Sequence, residues 1–391
     1  MNNEKENGSK YINMKSIALY YKLKKDSNEV DVNELKNELH VNIWKVEEGR
    51  MFLSPRFWLD IGVLFPKTYD SLCFYLPFEI EDKIVDLSKY LMCDQQTLSA
   101  VFNTEVKSWV NENQNFYNVT FPYTEGRDFY FYKLGDTNFE KEKAGNAPSE
   151  GFYLYIKING EPQKTKEKSD IDSNLVYLRF RMLLKKKSAF VKTEQISNDL
   201  LQAAFSSTDL FDIRINESRV LNTKIKEQME LKQYKPFEFN KLHLFYMVDT
   251  RENVDNGSSL KQDTRIVEKE QWGEYLPKSS LRNSTFVAYH WKKRRKKIDE
   301  KKKEEPIKSF NVFFSTIYPK TNFKRLTAYL FVVVILGFLG SMLSFHVTQV
   351  KCDYWQSLVK PIIVVVMLLF VLGYFVRRNF GGKWIEIYRK R

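Results

Sequence analysis

Cysteine and histidine are scarce: three Cys and four His in 391 residues. Cys73, Cys93 and Cys352 stand far apart without a CxxC pair, which excludes a disulfide scaffold, argues against a zinc site and suits a reducing compartment. Signature loops of catalysis are missing too, with no Walker loop, GxGxxG, HExxH, GxSxG or kinase HRD and DFG set. The expectation is therefore no enzyme and no cofactor, with no catalytic or metal-ligating residue assigned. His243 alternates within a strand-like run and His290 abuts Trp291 and a basic run, so neither points to chemistry. The opening residues, MNNEKENGSKYIN, hold no apolar stretch, and no cleavable signal peptide is expected.

Long apolar runs are also absent before residue 325, where apolar and polar residues alternate instead. Aromatic residues are plentiful, 22 Tyr and 30 Phe, which favours β structure. Strand-like runs rich in Tyr, Phe, Val and Ile fall at 16–23, 57–65, 71–80, 115–121, 128–134, 151–158, 174–184, 210–215 and 241–248. Helical spacing intervenes at VNELKNELHV after Asp31, at 81–92, where Ile84, Leu87 and Leu91 share a stripe, and at 197–205. The fold class expected is α+β, a mixed and β-rich cytosolic domain over 1–290, followed by a C-terminal two-helix transmembrane hairpin. The polar stretches 135–150 and 160–173 are surface loops or, alternatively, a subdomain boundary near 135–173.

Charge is distributed unevenly. The net +13 resides in the last quarter: residues 290–391 carry 21 Lys or Arg against 6 Asp or Glu, which leaves 1–289 at 41 against 43. The first domain is close to neutral, and that disfavours an extended nucleic-acid surface while allowing a small basic pocket.

The C-terminal quarter reads as a membrane module. LTAYLFVVVILGFLGSMLSF, 326–345, has no formal charge over twenty residues, about 30 Å of helix and the thickness of a hydrocarbon core. A second run covers 358–376. A basic juxtamembrane linker, 291–324, precedes them and a basic tail, 377–391, follows. Lys292, Lys293, Arg294, Arg295, Lys296 and Lys297 on one flank, with Arg377 and Arg378 on the other, read as membrane-surface charges. By the positive-inside rule both termini are cytoplasmic in a two-pass inner-membrane protein. Phe310, Phe313, Phe314 and Ile317 follow helical spacing in segment 310–318, read either as an in-plane interfacial helix or as the last element of the preceding core. Gly337, Gly340, Ser341 and Ser344 form two small-xxx-small pairs, a helix-packing or pore-lining face.

Two basic groupings are candidates for a ligand. Lys185, Lys186 and Lys187 follow a strand bearing Arg179 and Arg181. Lys292 to Lys297 follow Tyr289 and Trp291, an aromatic-plus-cation grouping that could stack bases and hold phosphates. Solvated strand ends and membrane-surface charge explain the same residues.

A large cytosolic domain joined to the paired segments 326–345 and 358–376 resembles, in layout, the two-helix membrane effectors of bacterial antiphage defence systems of the Hailong and CBASS types. That resemblance implies a homo-oligomer in the bilayer that senses a nucleotide or oligonucleotide signal and forms a pore or disrupts the inner membrane. The alternative is a membrane-tethered module that holds a partner protein without pore activity.

Overall fold

The computed structural model describes residues 15–25, 27, 36–46, 56–110, 115–123, 127–146, 150–160, 173–184, 191–194, 205–268, 272, 275–276, 285–295, 305–319 and 323–348. Strands dominate. In chain order they begin with β1 (Ala18–Leu23), β2 (Glu38–Val46), β3 (Arg56–Pro66), β4 (Tyr69–Leu76), β5 (Ile80–Asp86) and β6 (Lys107–Val110). Next come β7 (Phe116–Thr120), β8 (Phe129–Tyr132), β9 (Phe139–Lys143), β10 (Phe152–Lys157), β11 (Leu175–Leu184), β12 (Val191–Glu194) and β13 (Ser206–Ile215). The last are β14 (Lys235–Pro236), β15 (Lys241–Asp249), β16 (Asn253–Asn256), β17 (Gln262–Val267), β18 (Phe286–Arg294) and β19 (Phe310–Pro319). Helices α1 (Ser88–Cys93), α2 (Gln95–Phe102) and α3 (Thr223–Leu231) are short, and α4 spans Phe323–Thr348. The chain divides into two compact units, 1–194 with 208–318, and 195–207 with 319–391.

The first unit is built on a ten-stranded sheet in the order β17-β18-β15-β2-β3-β11-β8-β7-β6, with β5 also on β11. Its strands alternate strictly because successive side chains point to opposite faces. Phe57, Leu59, Ile61, Val63 and Phe65 of β3, with Val176, Leu178, Phe180 and Met182 of β11, bury one face. Against it lie apolar residues of a five-stranded sheet, β14-β1-β4-β10-β9, and a four-stranded sheet, β12-β13-β19-β16. The far side of the five-stranded sheet, Tyr20, Cys73, Tyr75, Tyr153 and Tyr155, is covered by Ile225 and Met229 of α3.

The opposite face of the large sheet carries Trp58, Asp60 and Gly62 on β3 and Tyr177, Arg179 and Arg181 on β11. Helices α1 and α2 cover part of it through Leu87, Leu91, Leu98 and Val101, which cluster with Trp44, Phe129 and Tyr177. This division into an apolar face and a mixed face positions the site described below.

Several expectations are corrected. Residues 38–46, assigned in part to a helix through VNELKNELHV, are strand β2, and 80–86 is strand β5, so the helix predicted at 81–92 begins only at Ser88. Segment 310–318 is strand β19, buried at every second residue. Phe314 stacks on Phe211 and on Trp291, both with centroids 4.6 Å apart. The segment 197–204, Lys185 to Lys187, Lys296 and Lys297 lie outside the described residues.

The transmembrane hairpin is the largest correction. No helix among the described residues is long and apolar enough to cross a membrane. Of the small-residue face with Ser341 and Ser344, a Cβ added at Gly337 or Gly340 would meet nothing within 4 Å. The second segment, 358–376, and the tail with Arg377 and Arg378 lie outside the described residues. A β-rich domain and one helix thus stand in place of the α+β domain with a hairpin, and the two-pass inner-membrane topology and the pore it implied are not retained. Helix α4 does leave Leu330, Val334, Leu336 and Phe338 exposed.

The register of β19 is testable by truncation. Phe314→Ala should lower unfolding free energy in urea by about 3–5 kcal/mol, whereas Phe313→Ala, at a position 42% exposed, should shift it by less than about 1 kcal/mol. Equal losses at the two positions would contradict the strand.

Candidate anion-binding site

Four neighbouring strands bring polar residues to one spot on the mixed face. Strands β15 and β2 run parallel and place Lys241 beside Glu38 and His243 beside His40. Strand β18, antiparallel to β15, sets Arg294 beside Lys241, Lys292 beside His243 and His290 beside Phe245. Strand β17 adds Asp263 opposite His290. Because every second residue shares a face, their partners Leu39, Leu242, Leu244 and Trp291 turn to the core. Three of the chain's four histidines thereby converge.

These side chains line a cavity of about 280 Å³, closed at one end by Val101, Phe102 and Asn103 of the α2 terminus and by Arg127. Helix α2 ends there because Asn103 adopts the left-handed conformation, φ 53°, which Asn tolerates better than most residues. Arg265 locks that end by donating to Asn103 Oδ1 at 2.8 Å and to the Ala100 carbonyl at 3.1 Å. A broader depression of about 870 Å³ lies along α2 with Gln95, Ser99, Thr104 and Glu105 in its wall and holds no histidine.

The cavity is lined by five cations, Arg127, Lys241, Arg265, Lys292 and Arg294, against two carboxylates, Glu38 and Asp263. Both carboxylates are engaged: Glu38 with the Lys241 ammonium, and Asp263 with Lys261 at 3.3 Å. Burial opposes ionisation of Glu38, yet His40 and Lys241 overcome it and hold its carboxyl far below the usual range. Burial, with nearby Arg294 and Lys241, lowers Lys292, the mark of crowded positive charge.

The imidazoles are neutral near pH 7. Burial pushes His243 down to about 2 and His290 down to about 4, and also lowers His40 against the pull of Glu38. His40 Nε2 lies 3.7 Å from Glu38 Oε2. His243 Nδ1 lies 3.0 Å from His290 Nε2, and Phe245 stacks on His290 at 4.1 Å.

A buried chain of hydrogen bonds fixes His40 from behind. Asp60 accepts from Trp44 Nε1 at 2.8 Å, from Arg181 Nε at 2.6 Å and from the Tyr275 hydroxyl at 2.7 Å. Tyr275 accepts from Arg179 Nε at 2.9 Å, Arg179 donates to the Tyr177 hydroxyl at 3.0 Å, and that hydroxyl faces His40 Nδ1 at 3.3 Å. Gly62 leaves room for it, since a Cβ there would strike the Tyr177 hydroxyl.

Of the residues singled out from sequence, Lys292 and Arg294 reach the cavity. Lys293 instead donates to the Ser309 carbonyl at 2.8 Å, and Trp291, read as a stacking platform, is fully buried in the core. Arg179 and Arg181, read as ligand contacts, are buried in the Asp60 network and position His40 through Tyr177. Glu38, His40, His243 and His290 were missed. Their signal was the repeated pairing of a charge and a histidine two residues apart, in Glu38/His40, Lys241/His243 and His290/Lys292.

No protein-family model matches this chain, and no curated protein matches it.

The Asp60 network predicts a stability profile. Burial opposes ionisation of Asp60, but Arg181 and Arg179 overcome it and depress its pKa below the ordinary 3.8 of an aspartate. Its contribution is therefore full above 3.8 and is lost as pH falls through the lower folded value. Asp60→Asn should lower urea stability at pH 7 by about 3–5 kcal/mol and flatten that acid-side decline. A variant as stable as the parent would remove Asp60 from this role.

Proposed function

We propose that this protein is a receptor for a small phosphate-bearing ligand of the mononucleotide kind. The observation that carries this reading is the cavity where Lys292, Arg294 and Arg127 stand among neutral imidazoles, with both neighbouring carboxylates already paired to lysines. Charge left over in a partly desolvated pocket favours an anion, and guanidinium and ammonium groups match phosphate oxygens. Phe102, Phe245 and the histidine rings supply faces on which a base can stack.

Size restricts the ligand. About 280 Å³ lies at the small end of ligand pockets, and suits one nucleotide rather than an extended strand. The near-neutral charge of residues 1–289 agrees, because a nucleic-acid track needs a basic stripe. The resemblance to antiphage effectors rested on paired membrane helices and is not carried further. Binding, rather than turnover, is the activity proposed.

The test is calorimetric titration of the purified full chain with AMP, ATP and inorganic pyrophosphate. We expect saturable binding that weakens with added salt and is tighter for the nucleotides than for pyrophosphate. Lys292→Ala and Arg294→Ala should each weaken it at least about tenfold, the loss of one charge-assisted hydrogen bond. Lys157→Ala, on an exposed ion pair with Glu140, should leave it unchanged. No heat with any of the three on folded protein, or equal affinity in all variants, would overturn the reading.

A further inference from the structure

We propose that Glu38, His40 and His243 form a binding site for a divalent transition-metal ion of the zinc class. The three side chains come from two adjacent parallel strands, and one ligand atom of each lies within 4.8 Å of the others. Two ligand atoms on a tetrahedral zinc, each about 2.0–2.1 Å from it, are separated by roughly 3.3 Å. Glu38 Oε2 and His40 Nε2, at 3.7 Å, need to close by only a few tenths of an ångström.

Each ligand is also held at its other end. Glu38 gives its second oxygen, Oε1, to the Lys241 ammonium. His40 Nδ1 faces the Tyr177 hydroxyl, and His243 Nδ1 faces His290 Nε2. With Nδ1 engaged in both rings, Nε2 is the nitrogen assigned to the metal. Such outer contacts fix tautomer and ring orientation at metal centres. Tyr177 can play this part because its oxygen accepts from Arg179 and still has a lone pair for Nδ1–H of His40.

The donor set chooses the ion. Two imidazoles and a carboxylate suit Zn²⁺, Co²⁺, Ni²⁺ or Cu²⁺, whereas Mg²⁺ and Ca²⁺ require all-oxygen surroundings. Three protein ligands leave a fourth position open. It lies in the cavity that Lys292 and Arg294 also line, so the bound ion adds positive charge where the proposed phosphate would sit. The metal site stands on its own geometry and does not depend on that ligand.

The experiment is titration of the full chain, freed of metal by a chelator and then of chelator, with Co²⁺ and Zn²⁺ in buffer without phosphate or nucleotide. One equivalent of Co²⁺ should bind with a visible d–d band of tetrahedral intensity, be displaced by Zn²⁺, and raise the midpoint of thermal unfolding. His40→Ala and His243→Ala should abolish the band, and Cys93→Ser, at an exposed free thiol, should keep it. Glu38→Gln preserves shape and should fold, yet show no metal-dependent rise in midpoint. Tyr177→Phe should weaken affinity by about 10–100-fold with the band retained. No band on folded parent protein, or a band that survives both histidine substitutions, would overturn the site. Nucleotide binding by parent protein that takes up no metal defeats this inference alone, and metal uptake without nucleotide affinity defeats only the anion reading.

Discussion

One buried carboxylate holds the mixed face of the large sheet in order. Asp60 sits at the centre of β3 with no exposure, and an isolated charge there would be severely penalised by loss of hydration. Arg181, Tyr275 and Trp44 satisfy it from three separate segments. Tyr275 in turn orients Arg179, which orients Tyr177, which meets His40. Removing the anion would strand two guanidinium groups among aromatic rings. The geometry of the cavity wall is therefore set by an interaction that no ligand touches.

A second buried cluster ties the large sheet to the four-stranded one. Lys45 on β2 reaches Glu252 at 2.8 Å and Asp209 on β13 at 3.5 Å, and its ammonium lies 3.5 Å from the Tyr318 ring centroid. Both clusters use β2, whose other residues supply Glu38 and His40. The strand is thus fixed on one face by the contacts of Glu38, His40 and Trp44, and on the other by Leu39, Val41 and Ile43 in the apolar core together with Lys45. Such double anchoring gives a strand one register, because a slip by one residue would send Glu38 and His40 into hydrocarbon and pull Lys45 away from Glu252.

Much of the strand framework was legible from alternation and aromatic content, since both record a surface buried on one side. Runs such as 57–65, 174–184 and 241–248 emerged nearly whole. Where two periods coincide, legibility failed. Leu35 and Leu39 fit a helical stripe, but Leu39, Val41 and Ile43 also fit period two, and pairing with β3 and β15 decides for the strand. The same ambiguity affected Phe310, Phe313, Phe314 and Ile317, where Phe310, Val312 and Phe314 are the residues that point inward. The apolar run 326–345 lies within helix α4, but its reading as a membrane span is overturned, and the second segment, 358–376, lies outside the described residues. The cavity was hidden for another reason. Its members are some two hundred positions apart and meet only through the parallel pairing of β2 with β15, which local pattern does not encode.

That parallel pairing has a consequence for synthesis. Strand β2 can acquire its β3 neighbour as soon as residue 66 is available, but its other edge has no partner until β15 exists, and the cavity needs β18 as well. During vectorial synthesis the backbone edge of β2 that will pair with β15 stands open while nearly two hundred further residues are added. Late closure of so long a loop is slow, and an unpaired edge of this kind invites pairing with another chain. Nascent chains stalled between residues 66 and 241 should therefore be the species most dependent on chaperones.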